Sequence, residues 1–496
     1  MTDAPNSPET AAAPEHVADD YVSFWDIARR QYAKNRPAMI ALICLLTLIV
    51  LATFAPLIAL NLPYVVSTAD GVEFPLFRHL FDRLIFQSGV DVFFNLLLVL
   101  APVFWLGGRV VRILLPAAGE SPTRKQLYWY GGPLALILVF QLVLAGAEMG
   151  ADVPEGGTTF TKGLFRFLLP LGLTGIGFLW YRRHKTRLLQ TRTRRRLAVQ
   201  TRGAMGLYFA AIFFVTITWF SYTLPIELWR SKIVAIEKEG GWAMSPPVFY
   251  HPDNIGEDSN LPGELALKPP DFGARRNFLG TDLNGRDVFA RLVYGTRISL
   301  TIGIIAVSIY ATIGIFLGSL AGFFGGWVDN LIISLLQIMI CIPGMFLLLT
   351  IVSVFETRSI FMIMIAIGVT SWPGITRLIR GEFFRQRAQD YVTAARALGI
   401  PQRKIIFGHI LKNSMGPVLV AAAFGVASAI LSESFLAFIG LGDEKAPSWG
   451  QVLKDGRDHG KLWLIWSPGF AIFFVVTVMN LIGDGIRDAL DPKMRR

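Results

Sequence analysis

Uncharged apolar runs constrain this chain more than any other feature. Residues 38–61, 298–328, 359–376, 413–432 and 462–483 contain no Asp, Glu, Lys or Arg. Each reaches the roughly 17–25 residues that a helix needs to cross a bilayer. Over 496 positions, 53% of residues are hydrophobic and only 17% charged, with a mean hydropathy of +0.49. A chain of this kind is an all-α polytopic membrane protein and not one soluble core.

Charge orders the spans. Arg29, Arg30, Lys34 and Arg36 precede the first run, which puts the N-terminus in the cytoplasm by the positive-inside rule. Residues 21–36 read as an amphipathic approach to the membrane. Residues 1–20 are rich in Ala, Pro and acid, are expected to be disordered, and lack the basic and apolar regions of a cleaved signal. Further apolar segments fall near 92–108, 127–147, 167–181 and 203–226. The loops between them alternate in sign: basic at 109–125, acidic at 148–155, basic at 182–202. That alternation predicts about ten spans with both termini in the cytoplasm. The polar, Pro- and Gly-rich segment 227–296 is then extracytoplasmic.

Several chemistries are excluded. Cys44 and Cys341 lie in apolar spans and form neither a disulfide framework nor a metal spacing, and the six histidines show no HExxH pattern. No metal ligands and no catalytic residues emerge. The chain has no GxxxxGK[ST] phosphate loop, so no cofactor is expected on it; if ATP drives it, ATP and magnesium belong to another chain. The net charge of +11 reflects loop Lys and Arg facing cytoplasm and anionic membrane lipid, not nucleic acid. Asp282-Leu283-Asn284-Gly285 hints at a calcium loop but lacks the twelve-residue pattern with its closing Glu, and reads as a turn.

Within the C-terminal half, Gly314, Gly318 and Gly322 recur on one helical face, which suits close packing inside the chain. Pro343-Gly344 predicts a kink in a span over 330–355. Glu433 sits in the span over 414–438. An ionisable residue there is expensive and often functional: it either lines a solute path or packs at the interface against a loop Arg. Residues 440–442 and 448–450 read as an external loop.

A polar island, residues 390–413, interrupts the apolar half. Asp390 can cap a short helix with Tyr391, Ala394, Ala395 and Leu398 on one face, Gly399 can end it in the left-handed conformation, and Pro401 can open a second helix at its first position. Gln402 to Leu411 is that second helix. A helix-turn-helix for DNA is disfavoured because membrane spans tether both sides. An amphipathic hairpin on the lipid surface remains open from spacing alone.

Thr393-Ala394-Ala395, then Gly399, then His409-Ile410-Leu411 resemble the coupling loop of permease subunits of ATP-binding-cassette importers. Residues 279–287 (LGTDLNGRD), 438–450 and 483–492 (GDGIRDALDP), in that order, look like the dipeptide/oligopeptide/nickel branch of that family. The resemblance implies that Thr393, Ala394, Ala395, Gly399, Ile410 and Leu411 couple to a cytoplasmic ATPase. It further implies a homologous second permease, an extracytoplasmic solute-binding protein, a bacterial cytoplasmic (inner) membrane, and alternating access for peptides or peptide-like solutes. Two positions depart: the family's usual Glu is Thr393, and its usual Pro is Lys412, which can let the second helix run straight into the membrane.

The expected organisation is a tail (1–37), a first span (38–61), an external segment (62–83), an inserted four-span module (84–226), an external loop (227–296), a permease core (297–490) with its coupling loop at 385–413, and a tail (491–496). The inserted module is expected to be peripheral, with no intramembrane charge pair. Two other classes compete with a permease: a membrane enzyme with its site in 227–296, and a channel or scaffold without ATPase coupling.

Overall fold

The computed structural model describes residues 24–68, 71–82, 85–99, 229–252, 268–271, 277–355 and 359–490. The segments near 127–147, 167–181 and 203–226, the loops 148–155 and 182–202, residues 1–20 and residues 491–496 lie outside them. So does the count of ten spans. Among the described residues, five helices are long and apolar enough to cross a membrane, or six if one sharply bent pair is a single span.

Helix α1 (Phe24–Lys34) leads into α2 (Arg36–Thr53), whose entry is fixed by Asn35 accepting from the Ala38 amide at 3.2 Å. The span is shorter than its apolar run, because the helix stops at Phe54 and a new turn starts at Ala55 with Pro56 near its start. A three-stranded antiparallel sheet follows, in the order β2–β1–β3, from β1 (Val65–Thr68), β2 (Gly71–Glu73) and β3 (Trp242–Met244). Between these strands the chain forms α3 (Gly89–Val99) and α4 (Trp229–Lys238).

The remaining helices are α5 (Val288–Phe324), α6 (Gly326–Cys341), α7 (Gly344–Val354), α8 (Ile360–Arg387), α9 (Asp390–Ala397), α10 (Gln402–Phe438), α11 (Trp449–His459) and α12 (Leu462–Leu490). The axes of α6 and α7 bend by 83° at Ile342-Pro343, where the kink was expected.

Helix α5 is the centre. Its glycine stripe packs on α8: a Cβ on Gly314 would lie 2.7 Å from Ile375 Cβ, one on Gly318 would lie 2.6 Å from the Thr376 carbonyl, and one on Gly322 would collide with Phe383. The stripe therefore serves packing inside the chain. Helix α5 begins at Val288, earlier than the boundary at 297, because Asp287 caps it by accepting from the Ala290 amide at 2.8 Å.

At one end, which we call the cap, the flanks of the insertion are built together. Leu60 donates to the Val248 carbonyl and Val248 donates to the Ile58 carbonyl, so the segments before and after the insertion pair directly. Leu98 and Trp229 fall in the same buried cluster as Val66, Tyr250 and Tyr294. Helix α3, assigned from sequence to a peripheral module, is thus part of this cap.

Its attachment includes an ion pair that the expectation of a peripheral module did not foresee. Arg297 of α5 is fully buried and donates to Asp91 at 3.1 Å and to Asn95 at 2.9 Å, both on α3, and to the carbonyl of Ala52 at 2.7 Å. Asn95 in turn donates to the Leu80 carbonyl at 2.7 Å. The pair joins residues 206 apart in sequence, so no local pattern could reveal it.

Candidate functional site

At the opposite end, the chain turns between α8 and α10, and the island seen in the sequence forms a short helix on a rigid mount. Arg380 of α8 grips Asp329 with two hydrogen bonds, the second at 2.8 Å. Arg387 donates to the carbonyl of Gly322 at 3.2 Å, at the end of α5, and its guanidinium lies 4.5 Å over the Phe384 ring. Arg396 lies 5.5 Å over Phe323. Three arginines thus fix the loop against the α5–α6 turn.

The helix itself differs in phase from the expectation. Gln389 is the N-cap and Asp390 the first helical residue, still favourable at a helix N-terminus. Val392 and Ala395 are buried, whereas Ala394 and Leu398 are exposed, Leu398 at 79%. Of the expected face Tyr391, Ala394, Ala395 and Leu398, only Ala395 is buried and Tyr391 half-buried, because eight residues cover barely two turns. Gly399 adopts φ +70°, the left-handed end that the sequence predicts. Pro401 is the N-cap of α10, not its first residue.

No second short helix stands alone. Helix α10 runs from Gln402 through a π-helical stretch, Ile405–Ile410, into the span without a break. A π stretch of this kind often marks a functional region. Lys412 permits this continuity, where a proline at that position would remove one helical hydrogen bond.

The six coupling candidates therefore divide. Thr393, Ala394 and Gly399 face outward together with Leu398, Arg403 and Lys404; Ala395 and Ile410 are buried and Leu411 half-buried, anchoring the loop in the core. The sequence placed Leu398 on the helix but not among the coupling residues, and it did not single out the exposed Phe407. Apolar residues flanking a glycine turn next to Arg and Lys were the available signal.

Glu433 sits at the cap end of α10, 2% exposed. It accepts from the Ser434 hydroxyl at 3.4 Å and from Ser448, the N-cap of α11. Its partners are serines and not the loop Arg considered from sequence. Residues 448–450 are not loop but the start of α11, which ends at Gly460 with φ +63°. Gly450 presses on α10: a Cβ there would lie 2.7 Å from the Ser434 carbonyl oxygen.

The turn 279–287 joins this assembly. Asp282 accepts from Arg286 at 2.7 Å and from Arg291 at 2.6 Å, and Arg291 reaches Asp455 of α11 at 2.8 Å. The guanidiniums of Arg286 and Arg291 engage the acid that resembled a calcium ligand. Trp449 donates to the Leu292 carbonyl at 3.0 Å, and Trp463 to that of Thr281 at 3.2 Å. At the loop end, Gly485 of 483–492 packs against Ala38 and Tyr32, and Asn35 donates to Asp488 at 3.0 Å.

Two family models match the chain. Residues 23–71 match the N-terminal TM domain of oligopeptide transport permease C, and residues 314–496 match the binding-protein-dependent transport system inner membrane component. The dipeptide transport system permease protein DppC of Haemophilus influenzae is 34% identical over 301 residues, 60% of this chain and 92% of that protein. The chain belongs to this family of importer permeases. The DppC protein of Alkalihalophilus pseudofirmus is 41% identical over 222 residues, 44% of this chain and 73% of that one. Among solved structures, the inward-facing MetNI methionine ABC transporter gives a TM-score of 0.35 at 17% identity, covering 40% of this chain and 96% of that chain.

This permease is a subunit of an ATP-driven importer in the inner membrane, and a subunit of that class works with a separate ATPase and a second permease. Both family matches lie outside residues 72–313, the region holding the expected insertion. This membership is at odds with a channel or scaffold that lacks ATPase coupling, and the relatives are transport subunits.

Proposed function

We propose that this permease moves peptides or peptide-like solutes by alternating access, with no covalent chemistry of its own. The relatives named for dipeptide and oligopeptide transport support the solute class. The observation that carries the mechanism is the mounted loop. Thr393, Ala394, Leu398 and Gly399 form an exposed knob, while Ala395, Ile410 and Leu411 root it in the core. A partner that grips the knob moves α8 and α10 together.

In this reading the loop end and both termini are cytoplasmic, and ATP and magnesium bind the partner ATPase. An extracytoplasmic binding protein delivers solute to the cap. Glu433 acts on the path indirectly, by tying the wall helix α10 to α11. The rest of the expected insertion 84–226, beyond α3, has an accessory role and takes no part in transport.

The test is reconstitution of the full complex in proteoliposomes with labelled dipeptides. ATP- and binding-protein-dependent uptake is expected. ATP hydrolysis without uptake of any peptide would overturn the solute class. Failure of the permease to co-purify with an ATPase would overturn the coupling role of the loop.

A further inference from the structure

A cavity of about 380 Å³ opens on the chain between α8 and α10, with α5 at its floor. Its size falls within the roughly 300–1,000 Å³ usual for small-molecule sites. Its lining includes Tyr310, Ser371, Gly374, Gly425, Ser428 and Ser432, and no ionisable carboxylate or basic side chain.

Several unpartnered hydroxyls gather in this cavity. Many span hydroxyls bond back to a carbonyl one turn earlier: Thr376 to Trp372 at 3.1 Å, Thr370 to Ala366 at 2.8 Å, Ser308 to Ile304 at 2.7 Å. Ser432 does the same to Ser428; Ser299, buried in α5 away from the cavity, is an exception. The hydroxyls of Ser371, Ser428 and Tyr310 make no hydrogen bond among the described residues. In hydrocarbon an unpartnered hydroxyl is costly. Three of them converging on one groove mean that the groove holds water or a polar guest, not lipid tails. Gly425 makes room for this: a Cβ there would strike the Tyr310 hydroxyl.

The groove also lies between the two helices that the coupling loop joins, so movement of that loop changes its width. Glu433, next to Ser432, is turned away into the cap and leaves the groove uncharged.

We propose that this groove is the chain's half of the solute passage, and that it meets peptide-like solutes through the neutral hydroxyls of Tyr310, Ser371 and Ser428 without reading side-chain charge. The inference rests on the permease reading and adds to it where solute touches this chain and what is not selected there.

The test uses the full complex in proteoliposomes with Gly-Leu, Gly-Glu and Gly-Lys as probes. The triple variant Tyr310→Phe, Ser371→Ala, Ser428→Ala loses two to three hydrogen bonds to solute, so uptake of all three dipeptides should fall by about tenfold and by similar factors. In a background with Cys44 and Cys341 replaced by Ser, Ser428→Cys should react with a small hydrophilic thiol reagent, and dipeptide should slow the reaction. Wild-type uptake of the dipeptides in the same vesicles separates the two ideas. If wild type transports and the triple variant matches it, or loses only one charge class, the groove assignment is overturned. A Ser428→Cys thiol that stays unlabelled would show a lipid-facing groove and overturn it independently. If wild type transports none of the three, the peptide reading falls first.

Discussion

The two ends of this permease solve opposite problems. The cap is held by buried charge: Arg297 ties α2, α3 and α5 together, and Arg291 ties the 279–287 turn to α11. The coupling end is held at its rim by arginines on carbonyls, rings and one aspartate, and offers an eight-residue helix with its outer face bare. Buried pairs tolerate no loss of a partner, because the survivor is left charged and dry. At the rim the arginines are less enclosed, 29% exposed for the Arg380 side chain against 0% for Arg297. The cap is therefore built to stay in one arrangement, and the loop to be gripped and moved.

The largest test of this contrast is a pair of deletions. Removing residues 84–226 takes Asp91 and Asn95 away from Arg297 and should abolish folded protein. Removing only 100–228, with a flexible linker, leaves the buried Arg297 contacts intact and should still yield a chain that inserts and co-purifies with its ATPase. Equal yields, measured by size-exclusion chromatography in detergent, would break the claim that α3 belongs to the cap. Next in size, Asp91→Ala orphans Arg297 and should cost about 3–5 kcal/mol, seen as a lower unfolding temperature. Asp91→Asn should lose less, since the amide oxygen still accepts.

A third test is pH. Burial pushes the Asp287 carboxyl up to about 7, the Ala290 and Phe289 amides oppose this, and the negative Asp282 adds to it. The folded state therefore holds this proton when the unfolded chain, near the ordinary 3.8, has released it. Stability falls as pH rises from about 4 to about 7 and levels off above that. Asp287→Asn keeps the cap on Ala290 and should flatten the slope. A wild-type unfolding temperature about 3 °C lower at pH 8 than at pH 5.5, with a smaller change in the variant, is the expected result. Equal slopes would place that carboxyl in water.

Effects on the loop should be functional and not structural. Gly399→Val forces a β-branched residue into the left-handed region, and uptake should drop by about tenfold while insertion and unfolding temperature hold. Normal uptake by this variant would remove the loop's coupling role. Smallest of all, Thr393→Glu restores the family's usual acid on an exposed surface and should change ATPase stimulation by less than about twofold.

The five or six spans of the described residues, the glycine stripe and Gly399 were legible in the sequence because each depends on local composition or on one backbone requirement. Gly314, Gly318 and Gly322 follow a period that a linear string displays directly. Helix α11 was also marked, by Ser448 before it and Gly460 after it, but a polar helix of eleven residues gives no apolar period to draw the eye. The face of α9 was misread because so short a helix leaves its phase to tertiary contact with α8 and α10. Arg297 was beyond reach for a different reason. Its partners at 52, 91 and 95 are scattered along the chain, and only the folded cap makes one buried site of them. The groove hydroxyls were hidden likewise, since what distinguishes Ser371 from Ser308 is a bond it does not make.

The unbroken course of α10 has a mechanical consequence. From Gln402 to Phe438 the helix is about 55 Å long at 1.5 Å per residue, continuous from loop to cap with Pro417 in its interior. Tilted by about 10° around its midpoint near residue 420, such a helix swings each end sideways by about 5 Å and Ser432 by about 3 Å. Three ångströms is about one water diameter. If α10 moves as one body, a small stroke at the loop reaches the proposed passage as a change of about one water diameter in its width.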